Sequence, residues 1–158
     1  MDNNYIFQYW EAIQNGTVTV GKWIRTIYKI LVDGLKSGKW DYDEGKAEKA
    51  IKFIENFCHH SEGRNDLPKL ELWQKAIVSA IFGIMDKKTG YRQFREVFIV
   101  VARKNGKTLF AAAIAAYMTY IDGEYGAKVY FLAPKLDQTE LVYDAFYQIV
   151  QADDELDS

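Results

Sequence analysis

The sequence is poor in the features that mark secreted or membrane-spanning proteins. Cys58 is the single cysteine among 158 residues, which excludes an internal disulfide framework and indicates a reducing compartment. The longest apolar run extends from Leu109 to Met118 and falls well short of the roughly 18 residues that a membrane span needs. Because no basic stretch followed by an apolar one opens the chain, we expect no signal peptide and a cytoplasmic location.

The sequence also has no large excess of positive or negative charge. The 20 Lys and Arg residues face 22 Asp and Glu residues, and the net charge of −2 gives no global attraction to nucleic acid or to an acidic membrane. Apolar types nevertheless make up 49% of the chain and aromatics 15%, which is enough for a buried core and argues against disorder. The length fits one core, with or without a helical appendage.

Proline is scarce, and the first of only two prolines, Pro68, ends a polar, glycine-containing stretch over 61–68. We place a boundary there, between a helical N-terminal segment (1–66) and a second part (67–158). Apolar residues at helical spacing predict helices over 23–35 and 47–58, the second with Asp43 as its N-cap. The first part is therefore predicted to be all-helical.

The second part has the pattern of an α/β fold. A helix over 72–84 and a turn over 87–90 precede the β-branched and aromatic run 97–101, which is typical of a strand buried on both faces. An alanine-rich helix over 107–121, a second short strand over 128–133 and a final helix then follow. With such short connections the two strands are predicted to be parallel members of one sheet.

A phosphate-binding motif lies between the first strand and the alanine-rich helix. Gly106, Lys107 and Thr108 satisfy the second half of the P-loop pattern, although Val101 stands where the first glycine belongs. Glycine lets the main chain approach a phosphate at a helix N-terminus, a lysine reaches the β- and γ-phosphates, and a threonine hydroxyl ligates Mg²⁺. The alternative is an ordinary strand-to-helix turn with an exposed lysine.

The motif and its neighbours resemble the large terminase subunits of tailed phages, the ATP-driven motors that package DNA into capsids. The segment 101–108, Val-Ala-Arg-Lys-Asn-Gly-Lys-Thr, is similar to their variant Walker A motif, which also lacks the first glycine. Leu-Trp-Gln at 72–74 resembles their adenine-binding segment, and 131–138 resembles the following strand-to-helix segment. The resemblance implies the first half of a P-loop NTPase-type sheet over 67–158.

The resemblance also implies roles for individual residues. Lys107 and Arg103 are implied to be catalytic, with Arg103 on the γ-phosphate, and Thr108 is implied to be the Mg²⁺ ligand. Gln74 is implied to read the adenine edge, although it also fits a surface position of an amphipathic helix, and Arg103 also fits an exposed loop. The implied ATP-binding residues are Gln74, Arg103, Lys104, Asn105, Gly106, Lys107 and Thr108.

The sequence does not show the other acidic residues that a complete packaging ATPase and its nuclease need. The acidic cluster over 153–155 follows helical rather than strand spacing, so no Walker B strand is predicted, and no nuclease cluster follows. We expect a truncated product, a split reading frame or an N-terminal fragment, inactive by itself. The complete subunit is implied to be an ATP hydrolase that forms homo-oligomers and works with double-stranded DNA, a small terminase subunit and a capsid portal. The alternatives are another helicase-like P-loop ATPase and a non-enzymatic, partner-binding fragment.

Overall fold

The computed structural model describes residues 4–58, 69–102, 105–123, 126–134 and 136–151. This part of the chain is mostly helical, with one small two-stranded sheet. In chain order the elements are α1 (Tyr5–Gln14), α2 (Lys22–Lys36), β1 (Asp41–Tyr42), α3 (Glu44–Phe57), α4 (Leu72–Gly83), β2 (Ile84–Met85), α5 (Lys107–Tyr120) and α6 (Leu136–Gln151).

The chain forms two compact units. The first comprises Met1–Ile51 and Leu70–Phe98, and the second comprises Lys52–Lys69 and Ile99–Ser158, so α3 contributes to both. The predicted boundary over 61–68 lies outside the described residues, and the division into 1–66 and 67–158 stays a prediction.

The first unit is built around α1, α2 and α4. Asn4 caps α1, since its Oδ1 accepts a hydrogen bond from the Ile6 N–H at 3.0 Å. Tyr9 of α1 packs edge-on against Tyr28 of α2, with ring centroids 4.7 Å apart. The buried core residues of this unit form one cluster of apolar side chains: Ile6, Tyr9, Ile13, Tyr28, Leu31, Val32, Trp40, Ala76 and Ile84.

The first unit also contains a short antiparallel ladder between β1 and β2. Asp41 pairs with Met85 and Tyr42 with Ile84, and the Asp43 N–H donates to the Gly83 carbonyl at 2.8 Å. The predicted turn over 87–90 follows it. There the Asp86 carboxylate accepts hydrogen bonds from the Thr89 N–H and hydroxyl and from the Lys88 N–H, which lowers the pKa of Asp86.

The second unit rests on α5 packed against α6. Tyr120 stacks on Phe146 with centroids 6.3 Å apart, and Phe131 meets the same ring edge-on at 5.9 Å. The end of α3 contributes Phe53, whose ring lies 5.7 Å from that of Tyr117. No helix in the described ranges is long and apolar enough to cross a membrane.

The predicted helices are confirmed. The 23–35 pattern corresponds to α2, and the 47–58 pattern to α3, where the Lys46 N–H donates to Asp43 Oδ1 at 2.9 Å as an N-cap requires. The predicted helix over 72–84 is α4, and that over 107–121 is α5.

The two predicted sheet strands are not observed. Residues 97–101 and 128–133 have no strand pairing within the part of the chain that the structure describes. The predicted burial of 97–101 on both faces is also wrong, because Phe98 is 94% exposed and Val100 is 81% exposed. An apolar, β-branched run fixes the β propensity of a segment, but a strand also needs a neighbour to accept its backbone hydrogen bonds.

Replacing Gly34 with Ala should destabilise the first unit. A Cβ at this position of α2 would lie 2.6 Å from Cε3 of the buried Trp40 ring. Alanine gains about 1 kcal/mol over glycine in a helix, but overpacking a rigid ring costs about 1–3 kcal/mol. We expect Gly34→Ala to lose about 1 kcal/mol of unfolding free energy in a urea titration followed by tryptophan fluorescence.

Gly45→Ala is the matched control for that substitution. Position 45 also lies in a helix, but its added Cβ would meet only Asp43 Oδ1, at 3.4 Å, which is ordinary contact. This variant should be as stable as the wild type or slightly more stable. Equal stability of the two alanine variants would contradict the packing of Trp40 over α2.

The Cys58 thiol should react slowly with maleimides in the folded protein. Its side chain is fully buried, and desolvation raises its pKa from 9.0 to about 12. We expect labelling at pH 8 to be at least about a hundredfold slower than in urea, which corresponds to an opening free energy of about 2.8 kcal/mol. The stabilisation that the neutral thiol contributes is present below pH 9 and is lost as the pH rises through 9 toward 12. Equal labelling rates with and without urea would show that Cys58 is accessible.

Candidate nucleotide-binding site

The candidate phosphate loop enters α5 through a left-handed bend at Gly106. This residue has φ 64° and ψ 18°, and it occupies the N-cap position of the helix. Its carbonyl accepts the Phe110 N–H at 2.9 Å, so the helix begins directly after the bend. An added Cβ would meet no atom within 4 Å, so the requirement for glycine comes from the backbone conformation and not from crowding.

Lys107 and Thr108 occupy the first turn of α5. Lys107 is exposed and Thr108 is half-buried. The first N–H groups of a helix have no acceptor within it, and the helix dipole places partial positive charge at the same end. Lys107 and Thr108 therefore share the first turn of α5 with these backbone donors, and this combination of residue types fits the phosphate groups of a nucleotide.

The helix behind the loop is firmly anchored. Residues on several sides of α5 are buried, and its small side chains allow close packing. The loop thus precedes a largely buried helix, while the loop residues Asn105 and Gly106 are exposed. The buried residues are Phe110, Ala112, Ala113, Ala115, Ala116 and Tyr117.

The remaining predicted loop residues are only partly described. Asn105 Nδ2 donates to the Ala102 carbonyl at 3.2 Å, a bond that bridges the loop from one side to the other. Arg103 and Lys104 lie outside the described residues. The predicted contact of Arg103 with the γ-phosphate therefore stays a prediction, as does the nucleotide-binding role of Lys104.

Gln74 is a capping residue in this structure. It is half-buried in the first turn of α4, and its Oε1 accepts a hydrogen bond from the Glu71 N–H at 2.9 Å. Gln74 belongs to the first compact unit and the loop residues belong to the second. Sequence reasoning missed this capping role, and the signal was weak: Gln three residues after the N-cap fits a capping box, but Glu71 stands where Ser, Thr, Asp or Asn is usual. Its predicted adenine contact stays a prediction.

Two basic residues near the β1–β2 ladder have structural partners in the first unit. Lys87 Nζ lies 3.5 Å from Asp41 Oδ1, and the Arg92 guanidinium lies 5.5 Å from the centroid of the Phe82 ring. Both contacts lie beside the β1–β2 ladder. Lys107 is the basic residue that the structure places at the start of α5.

No metal cluster is preformed among the residues that the structure describes. Within those ranges no three His, Cys, Asp or Glu side chains converge as a metal site would require. The Thr108 hydroxyl is the predicted Mg²⁺ ligand and supplies one oxygen. The acidic cluster over 153–155 lies outside the described residues.

Comparison with known proteins identifies the family of the segment that carries the loop. A family model described as the ATPase domain of the terminase large subunit matches residues 72–157, which is more than half of the chain. No curated protein and no solved structure matches the chain. The matched range contains α4, the glycine bend, α5 and α6. The chain therefore belongs to the terminase large-subunit ATPase domain family and represents the N-terminal ATPase portion of such a subunit.

Proposed function

We propose that this chain supplies the phosphate-binding loop of a motor that uses ATP to package viral DNA into a capsid. The observation that carries the proposal is the left-handed bend at Gly106, which puts Lys107 and Thr108 at the start of a buried helix. This bend lies inside the segment that matches the terminase ATPase family. The match favours a packaging motor over another helicase-like ATPase.

Each loop residue has a distinct part in the proposed site. The first N–H groups of α5 hold the phosphate oxygens, and the Lys107 ammonium neutralises the charge that they share. Thr108 would hold Mg²⁺ through its hydroxyl, and the ion would supply positive charge that stabilises the terminal phosphates. Arg103 contacts the γ-phosphate and Lys104 and Asn105 complete the loop, as the family resemblance implies. Gln74 reads the adenine base, also by resemblance.

The proposal includes a sheet that forms only with further strands. The exposed apolar segments 97–101 and 128–133 flank α5 and have the composition of strands, and Phe98 and Leu132 have no apolar cover. We assign them as the first strands of a P-loop sheet that later strands of a complete subunit would join. Double-stranded DNA, a small subunit and a portal would act on that complete assembly.

Magnesium ATP should bind weakly at the start of α5. We expect a titration of the ¹⁵N-labelled chain, up to about 10 mM nucleotide, to shift the Gly106, Lys107 and Thr108 amide signals with an affinity near 1 mM or weaker. Lys107→Ala should weaken binding about tenfold or more, because a charge-assisted hydrogen bond contributes about 1.5–3 kcal/mol. Gly106→Ala should also weaken it, since alanine resists the left-handed conformation.

Lys128→Ala is the control for the nucleotide titration. Lys128 is also exposed but lies away from the loop in sequence, so this variant should bind like the wild type. The proposal fails if the three loop amides do not respond to nucleotide, or if Lys107→Ala responds as strongly as the wild type.

The 158-residue chain should not turn over ATP by itself. Hydrolysis needs a carboxylate to hold Mg²⁺ and another group to position water, and the sequence shows no Walker B strand to carry the first of them. We expect phosphate release no faster than that of the Lys107→Ala variant. Multiple-turnover release that disappears in Lys107→Ala would show that the chain contains a complete catalytic site.

A further inference from the structure

The Asn105 side chain ties the beginning of the candidate phosphate loop to its end. Its amide nitrogen, Nδ2, donates a hydrogen bond to the Ala102 carbonyl at 3.2 Å, and the two residues are three positions apart. Ala102 follows the apolar run 97–101, and Asn105 directly precedes the bend at Gly106. A side-chain to main-chain bond over this distance closes a short turn and restrains the backbone inside it.

Helix α5 restrains the bend from the other side. The Gly106 carbonyl accepts the Phe110 N–H at 2.9 Å, and Phe110 is buried in the second unit. The residue before the bend, Asn105, is exposed and belongs to no helix or strand. The bond from Asn105 to Ala102 is therefore a restraint on the amino side of Gly106, where the helix provides none.

A restraint of this kind matters because phosphate binding needs an ordered main chain. Ordering a loop costs conformational entropy, and a loop that is ordered before its ligand arrives does not lose that entropy on binding. Asparagine suits this purpose, since its short amide reaches main-chain groups a few residues away.

We propose that Asn105 is a positioning residue that holds the phosphate loop in its binding conformation, through Ala102, before a nucleotide arrives. The inference rests on the proposed function of the loop. The family resemblance implies a nucleotide contact for Asn105, whereas the geometry uses one hydrogen of its amide group for the main chain of the loop itself. Lys107 and Thr108 supply the phosphate contacts, and Asn105 lowers the entropy that these contacts cost.

The restraint is measurable in the whole chain without nucleotide. We expect ¹⁵N relaxation to give Gly106 an order parameter of about 0.85 in the wild type, typical of rigid backbone, which falls toward about 0.6 in Asn105→Ala. Asn105→Asp tests the donor by itself, because an ionised carboxylate of nearly the same size cannot donate to the Ala102 carbonyl. This variant should lose order at Gly106 as Asn105→Ala does.

Loss of the restraint should weaken binding by the same factor for different phosphate ligands. We expect Asn105→Ala to bind magnesium ATP, magnesium ADP and pyrophosphate each about threefold to tenfold more weakly, which matches the net contribution of one hydrogen bond. The titrations follow the Lys107 and Thr108 amide signals at constant ionic strength. A direct contact with the base or with the γ-phosphate would instead change the three affinities by different factors.

Asn15→Ala is the matched control. Asn15 also lies in an exposed turn, and its Oδ1 accepts the Thr17 N–H at 3.0 Å, but this turn follows α1 in the first unit. The variant should keep the wild-type order parameter at Gly106 and the wild-type affinities. Circular dichroism of each variant checks that the helices persist.

Three results would overturn the proposal. The first is weaker nucleotide binding in Asn105→Ala with unchanged order at Gly106, which would make Asn105 a direct ligand. The second is reduced order at Gly106 with unchanged affinities, and the third is no change in either. A wild type that binds no nucleotide would refute the proposed function of the loop, whereas the order parameters of the nucleotide-free chain decide separately whether Asn105 restrains the bend.

Discussion

A helix closes its backbone hydrogen bonds within its own segment, whereas a strand depends on a neighbour. This difference explains which segments of the described chain form regular structure. Helices of ten to sixteen residues form from local sequence and pack into two compact units. The ladder between β1 and β2 has two residues in each strand, and the Asp43 N–H extends it by donating to the Gly83 carbonyl. The apolar runs 97–101 and 128–133 lack such neighbours in the described part of the chain and remain unpaired.

The candidate phosphate loop combines an exposed helix N-terminus with a largely buried helix, α5. Alanine side chains let α5 pack closely against α6, which fixes the direction of the helix axis and of its first turn. The left-handed bend at Gly106 then turns the chain at the point where the backbone N–H groups become available. An anchored helix with an accessible N-terminus is what a phosphate-binding site requires, and the family match lies over the same residues.

The net charge of −2 conceals a strong separation of charge between helices. Basic residues dominate α2 and acidic residues dominate α6, and each helix also exposes apolar side chains that its own unit does not bury. Isolated exposed apolar residues are common on protein surfaces.

The sequence by itself determined the positions of helices α2 to α6, the Asp43 cap and the glycine before Lys107, because helical period, capping and backbone freedom are local properties. Only the tertiary structure decided which apolar residues are covered. Leu31 and Ile27 fit the same helical pattern, yet Leu31 is buried and Ile27 is half exposed. Likewise, no local signal separated the paired Ile84 from the unpaired Val100. Burial and strand pairing depend on what lies opposite a residue in space, and a periodic pattern along the chain does not contain that information.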